Sequence, residues 1–224
     1  MRGHQFKGQL TPKQAAEGIK LANENARDLY EDAQILYEND RIERSVSLSI
    51  LAIEEAGKSR ILKEILLIED SKELKKSWQD YRKHTEKNLS WIVPSLFAGG
   101  ARKLDEFKTA FESSESHGQD IDNIKQLSFY TDIFGKGIWS HPKKAIDKKF
   151  ARMILEFANI LTKKSSISIE SEKGLEIWVK HMKPVWKEQI MSEMKKALIE
   201  CYEEAETEGI IEKGKASEMR NFTF

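Results

Sequence analysis

The chain has 224 residues, of which 33% are charged and 39% hydrophobic, a composition typical of one large helix-rich domain or of one domain with an appendage. Lysine plus arginine equals aspartate plus glutamate, at 37 each, which excludes a chain-wide basic field for nucleic acid or membranes and leaves room only for a local basic patch. The single cysteine, Cys201, excludes an intramolecular disulfide and fits a reducing compartment.

Export and membrane signals are missing from the sequence pattern. Residues 1–7 lack the apolar stretch of a signal peptide, and no apolar run reaches the roughly 18 residues that a membrane helix needs. We therefore expect a cytoplasmic protein that does not contact a membrane.

A long first helix is predicted after a loose arm of residues 1–10. Its start is marked by Thr11 as the cap, by Pro12 at the first helical position, and by Gln14, which completes a capping box. Apolar residues then recur at helical spacing up to about Glu38, where the pattern predicts that the helix ends.

The second helix, predicted from about Arg41 to Ile68, contains the most informative stretch of the chain. From Ser45 to Arg60 it is apolar on nearly every side, which is typical of a helix buried in a core. Three charges, Glu54, Glu55 and Lys58, interrupt it, and burying a charge is costly unless it is paired. The spacing of four predicts a pair between Glu54 and Lys58, so Glu55 needs another partner. Two interpretations stay open, namely a structural or solvated set of charges and a polar site between facing helices.

A third helix is predicted to begin at Asp70-Ser71, with Ser71 as its cap. Its apolar face contains Leu74, Trp78 and Tyr81. His84 and Lys87 follow three residues apart, so a helix would place them on one face. The sequence then predicts a short helix at residues 102–111 and a polar surface loop at residues 112–119.

The second half of the chain predicts one further compact stretch and a helical tail. Residues 125–132 read as helical and aromatic, and residues 133–142 as a turn or short hairpin, because they contain two glycines and a proline. A helix is predicted from about Lys143 to Lys163, and tail helices at residues 170–181 and 184–208. The fold class is therefore all-α.

Spacing alone predicts no metal site and no cofactor. None of the five histidines pairs with another at the i, i+4 spacing of a helical zinc site, and a phosphate-binding glycine loop is missing. Cys201 lies late in the tail and reads as a small core residue.

One set of side chains could nevertheless perform acid–base chemistry on a phosphodiester. The catalytic candidates are Glu55, Lys58, His84 and Lys87, with His84 or a glutamate as the base and the lysines as phosphate-binding cations. The substrate-binding candidates are Glu54, Arg82 and Tyr130. The alternative interpretation is that a lone helical histidine such as His84 is a structural residue.

Three blocks of this sequence resemble the AbiV-type abortive infection proteins, a HEPN-like group of bacterial phage-defence proteins. The first is Leu48-Ser49-Ile50-Leu51-Ala52-Ile53-Glu54-Glu55-Ala56-Gly57-Lys58, and the second is His84-Thr85-Glu86-Lys87. The third is Phe129-Tyr130-Thr131-Asp132 followed by Gly137, Trp139, Ser140 and Pro142. The resemblance covers roughly residues 15–165, so we expect a HEPN-like bundle at residues 11–165 and a C-terminal helical extension at residues 170–224.

The resemblance implies a cytoplasmic helical bundle, often a homodimer, that arrests growth or translation in infected cells. Many HEPN domains are ribonucleases whose motif is an arginine followed four to six residues later by a histidine. Here Arg82 and His84 are only two apart, and Lys136 with His141 is the nearest substitute. Two hypotheses follow, namely an effector that binds a phage protein or the translation machinery, and a metal-independent endoribonuclease that acts on RNA through an atypical Glu/Lys/His site.

Overall fold

The computed structural model of the protein describes residues 5–82, 125–134, 137–188 and 190–220. These residues belong to two compact units that interleave along the chain. Unit 1 contains the described parts of residues 1–21, 59–82 and 164–224, and unit 2 those of residues 22–58 and 83–163. The described residues are mostly helical, with one short hairpin, which confirms the all-α, HEPN-like fold class. The predicted domain boundary near residues 165–170 stays a prediction.

Nine helices and two strands have both of their ends within the described residues. In chain order they are α1 (Pro12–Glu38), α2 (Ile42–Ala56), α3 (Lys58–Ile65), α4 (Ser71–Arg82), β1 (Asp132–Phe134), β2 (Ile138–Ser140), α5 (Pro142–Ala145), α6 (Lys148–Leu161), α7 (Glu172–Trp186), α8 (Met191–Thr207) and α9 (Ala216–Arg220). Residues 125–129 are also helical. No helix in these ranges is long and apolar enough to cross a membrane.

The start of α1 and the hairpin both follow the sequence prediction. The Thr11 amide donates to Gln14 Oε1 at 3.0 Å and the Gln14 amide donates to Thr11 Oγ1 at 3.2 Å, which is the reciprocal bonding of a capping box. The antiparallel pair of β1 and β2 forms the hairpin, and Gly137 lies between the strands with φ of 90°, where glycine carries no steric cost.

The prediction of one continuous helix from about Arg41 to Ile68 is wrong. Helix α2 ends at Ala56 and α3 begins at Lys58, with Gly57 as the residue between them. Gly57 keeps helical angles (φ −65°, ψ −17°) and its amide still donates to Ile53 O at 3.1 Å. Since glycine is a weak helix former, it is the natural place for the ladder to end.

Three other helix boundaries differ from the prediction. Asp70 caps α4 in place of Ser71, because its carboxylate accepts from the amides of residues 72 and 73, each at 2.9 Å. The predicted helix from about Lys143 is two helices, and Asp147 caps the second by accepting from the amide of residue 150 at 2.8 Å. Pro184 lies inside α7 and does not start a new helix.

Each unit has its own hydrophobic core. In unit 2, α2 packs against α6, and the buried side chains include Val46, Ile50, Ile154 and Phe157. In unit 1, the start of α1 packs with α3 and α4, and α7 packs with α8. Cys201 is fully buried where α7 packs with α8, which confirms that it is a core residue.

Candidate functional site

Helix α2 buries a polar strip as well as an apolar one. Glu43 and Glu54 are 6% and 5% exposed, and Ser45, Ser47 and Ser49 are fully buried. The hydroxyls of Ser45 and Ser49 have no hydrogen-bond partner within the described part of the chain. Because these polar side chains are buried together with the apolar ones, α2 is buried on nearly every side although it carries charge.

Glu54 forms a buried ion pair with Lys125. The Lys125 Nζ and Glu54 Oε1 atoms are 2.7 Å apart, and the two side chains are only 7% and 6% exposed. A charge-assisted hydrogen bond of this length in a buried setting is among the strongest polar contacts that a protein makes. The pair therefore ties α2 to the helical residues 125–129.

A pair of serines joins the same two segments one or two turns away. The hydroxyls of Ser47 and Ser128 are 2.7 Å apart, and Ser128 Oγ donates to the carbonyl of Lys125 at 2.8 Å. Ser47 precedes Glu54 in α2, whereas its partner Ser128 follows Lys125, so the two segments run antiparallel. The polar strip of α2 thus meets a matching polar edge on residues 125–128.

The second ion pair within residues 48–58 joins the end of α2 to the start of α3. Lys58 Nζ contacts Glu55 Oε1, and each side chain is 18% exposed. Our expectation that Lys58 pairs with Glu54 is replaced by this arrangement. Glu55 and Lys58 are three residues apart, a spacing at which helical side chains are neighbours, while Glu54 pairs with Lys125.

The structure describes two of the four remaining site candidates, Arg82 and Tyr130. His84 and Lys87 lie outside the described residues. Arg82 belongs to unit 1, where its guanidinium donates to the carbonyls of Trp78 and Phe6 and lies over the Trp78 ring at 5.1 Å from the ring centre. Tyr130 belongs to unit 2 and is 61% exposed, just before the hairpin. Their assignment as catalytic or substrate-binding residues stays a prediction.

The hairpin itself presents apolar side chains to solvent. Trp139 is 72% exposed and Ile133, directly opposite it in the register, is 49% exposed. The two residues share one face of the hairpin, since directly opposite residues point to the same side of a sheet. Large exposed apolar groups in one place mark interaction sites more often than chance allows.

The two ion pairs and Cys201 differ in the chemistry that each can perform. The pair of Glu54 and Lys125 is closed to solvent, so it can hold helices together but cannot touch a substrate. The pair of Glu55 and Lys58 keeps part of its surface in water. Burial raises the pKa of the Cys201 thiol to about 12, which makes it a poor nucleophile. Within the described ranges, no three His, Cys, Asp or Glu side chains group as metal ligands.

Sequence reasoning missed Lys125, Ser47 and Ser128. Residues 125–132 stood out as a helical, aromatic stretch, which was the available signal. Nothing in the spacing links Lys125 to a carboxylate 71 positions earlier in the chain, because that contact depends on tertiary packing.

Comparison with models of known protein families shows which family this chain belongs to. The family described as AbiV (HEPN_AbiV) matches residues 14–163, which is more than half of the chain. The chain belongs to the AbiV family. This AbiV protein is therefore an abortive infection, phage-defence protein. No curated protein and no solved structure matches it.

The AbiV match ends before α7 begins, so α7, α8 and α9 follow the matched region. Both ion pairs of α2 lie inside it, as does the hairpin with Trp139. The AbiV region thus contains the buried polar strip and the exposed apolar face, and both belong to unit 2.

Proposed function

We propose that this AbiV protein is an effector that arrests growth or translation in phage-infected cells by binding a protein, either a phage protein or a component of the translation machinery. It acts in the cytoplasm, where both kinds of target are made. In this proposal the chain has no catalytic activity of its own, and its surface recognises the target.

One observation carries the proposal. Each charged residue of the block that marks the family forms an ion pair, and the pair of Glu54 with Lys125 is sealed from solvent. A hydrophobic replacement of a buried pair is often as stable, so such a pair favours a role in specifying one packing arrangement of helices. The exposed surface that this packing carries is then the part that can meet a target.

A HEPN-like ribonuclease is the second candidate, and one observation favours it. Glu55 and Lys58 each keep 18% of the side chain exposed, so a substrate phosphate could approach the ammonium group of Lys58. This candidate would need a proton-transferring group beside the pair, for which His84 is the sequence-based choice.

The discriminating experiment follows nascent protein synthesis and RNA integrity in the same infected culture. Cells that express the chain are infected, pulse-labelled with an isotopic amino acid, and their total RNA is separated by electrophoresis. We expect labelling to stop while ribosomal and messenger RNA remain intact. RNA fragments that appear with the wild type and disappear with a folded His84→Asn variant would instead favour the ribonuclease. Normal labelling throughout infection would contradict both candidates.

A further inference from the structure

Residues 5–10 lie against unit 1, although the sequence pattern predicts a loose arm there. We call these residues the arm segment, and they form neither helix nor strand. Leu10 packs against the hydrophobic cluster that contains Ile65 and Trp78. The side-chain amide of Gln9 donates to the carbonyl of Ile65, the last residue of α3, at 2.6 Å. The arm segment is therefore bound to the end of α3 and to α4.

Side chains of α4 hold the arm segment by its backbone. The indole N–H of Trp78 donates to the carbonyl of Gly8 at 2.9 Å, and the guanidinium of Arg82 donates to the carbonyl of Phe6. Trp78 is only 6% exposed, and a buried indole N–H usually has a hydrogen-bond partner. Every residue carries a backbone carbonyl, so another extended chain could accept the same two bonds. We call Ile65, Trp78 and Arg82 the arm seat.

Side chains of the arm segment add a sequence preference to these backbone contacts. The Phe6 ring meets the Trp78 ring edge to face, with the ring centres 5.8 Å apart. The same ring covers Gly8, where an added Cβ atom would lie 2.9 Å from it and would displace it. Lys7, between these two residues, is exposed. The pattern that fits the arm seat is therefore an aromatic residue, any residue, glycine, glutamine and an apolar residue.

The arm segment covers the arm seat without being enclosed by it. Four of its six residues are exposed, and the other two are half-buried. Its departure would remove the acceptor of Trp78 Nε1 and the donor to the Ile65 carbonyl, and a buried polar group that loses its partner costs free energy. A second chain with the same pattern would restore both bonds, so one segment can replace the other.

We propose that the arm seat is a binding site for an extended segment of a partner protein, and that the arm segment occupies it as an internal ligand. The partner segment carries the pattern of an aromatic residue, any residue, glycine, glutamine and an apolar residue, and it displaces residues 5–10. This inference rests on the proposed function, because it gives the effector a site in unit 1 for the protein that it binds.

The internal ligand should compete strongly with a free peptide. A segment on a short tether has an effective concentration on the order of millimolar at its own site. A free peptide of equal intrinsic affinity should therefore bind the wild type only at millimolar concentration. The same peptide should bind at least about tenfold more tightly when the arm segment is weakened, because the competitor is then removed.

The test titrates a fluorescent peptide into the full-length chain and follows its anisotropy. The parent peptide has the sequence of residues 5–11, Gln-Phe-Lys-Gly-Gln-Leu-Thr. The receptors are the wild type and the Phe6→Ala/Gln9→Ala variant, which weakens the arm segment and leaves the arm seat intact. Two altered peptides are compared with the parent. The Gly8→Ala peptide disturbs the ring contact, and the Lys7→Ala peptide is its control at an exposed position.

A change in the arm seat completes the design. Arg82→Met, added to the weakened receptor, keeps the apolar stem and removes the donor to the Phe6 carbonyl. Its matched control is Arg152→Met, which changes an exposed arginine of α6 in unit 2.

We expect the weakened receptor to bind the parent peptide at least about tenfold more tightly than the wild type does. The Gly8→Ala peptide should bind about fivefold more weakly than the parent, which is the size of an aromatic pair contact, and the Lys7→Ala peptide should bind equally well. Arg82→Met should weaken binding about tenfold, because it removes a charge-assisted hydrogen bond, and Arg152→Met should leave binding unchanged.

A second measurement uses the wild type alone and so does not depend on the folding of any variant. Trypsin cleaves after Lys7, and a bound segment is cut more slowly than a released one. The unlabelled Lys7→Ala peptide, which trypsin cannot cut at that position, should accelerate cleavage of the chain after Lys7 when it is present at millimolar concentration. The Phe6→Ala/Lys7→Ala peptide should not do so.

Three results would overturn the inference. They are equal binding of the parent peptide by the wild type and the weakened receptor, equal binding of the parent and Gly8→Ala peptides, and cleavage after Lys7 that the peptide does not accelerate. A wild-type dimer that dissociates in millimolar peptide would also overturn it, because the occupant of the arm seat would then be the arm segment of a second copy.

Failure of the proposed function is seen separately from failure of this inference. Wild-type cells would then continue protein synthesis after infection, whatever the peptides do. A wild type that protects cells, together with peptides that bind both receptors equally, would reject the arm seat and leave the proposed function standing.

Discussion

Replacing Lys125 by methionine tests whether the buried ion pair holds α2 in place. Methionine keeps the unbranched, apolar stem of lysine, so it leaves little empty space. It removes the ammonium group that lies 2.7 Å from Glu54 Oε1, while the Glu54 residue remains only 5% exposed. Removing one member of a buried pair typically destabilises a protein by about 3–5 kcal/mol.

Both side chains of the pair are less than one-tenth exposed, so the change leaves the Glu54 carboxylate buried without this ammonium group. We therefore expect Lys125→Met to lower the free energy of unfolding by about 3–5 kcal/mol at pH 7.

Urea denaturation followed by circular dichroism measures this, and two variants serve as controls. Lys148→Met breaks a surface pair with Asp40, in which the side chains are 64% and 79% exposed, and should unfold at nearly the same urea concentration as the wild type. Glu54→Gln/Lys125→Met removes both charges and should recover most of the loss. A deficit for Lys125→Met that is below about 1 kcal/mol would refute this role of the buried pair.

Three further predictions concern the other polar groups. Lys58→Met should lower the free energy of unfolding by about 1–2 kcal/mol in the same assay, less than Lys125→Met does, because the pair of Lys58 and Glu55 is partly hydrated. An equal loss for the two variants would contradict this prediction. Cys201 should react with a thiol reagent at neutral pH only as fast as the protein unfolds, because burial raises its pKa to about 12; rapid native labelling would contradict this. Hydrogen bonds from Lys180 and His181 lower the pKa of Glu204, so the stability that it contributes is present above about pH 4.3 and is lost as the pH falls further. Wild type should therefore exceed Glu204→Gln in stability at neutral pH, and that gap should close on acidification; a gap that does not change with pH would contradict the expectation.

Local signals predicted the fold well where side chain and backbone bond within a few residues. The capping box of Thr11 and Gln14 located the start of α1, and the glycines and proline of residues 133–142 located the hairpin. Boundaries inside long apolar patterns were harder to place. The 3.6-residue period continues across Gly57, so periodicity alone did not show that α2 ends at Ala56.

The candidate site was only partly predictable for a related physical reason. Charges in an apolar helix showed that Glu54 and Glu55 need partners, and the structure gives each of them a lysine. Spacing can rank only partners on the same helix, however, so it chose Lys58 for Glu54 and could not find Lys125. That choice depends on which distant segment packs beside α2.

The efficiency of phage plaquing on bacteria that express this chain tests the central claim most directly. A panel of unrelated phages is plated on cells with the wild type, with an empty vector, and with the Trp139→Ala variant after circular dichroism has shown that it is folded. We expect fewer plaques for at least one phage with the wild type, and recovery of plaques with the variant. Equal plaquing on wild-type and vector cells for every phage would contradict it.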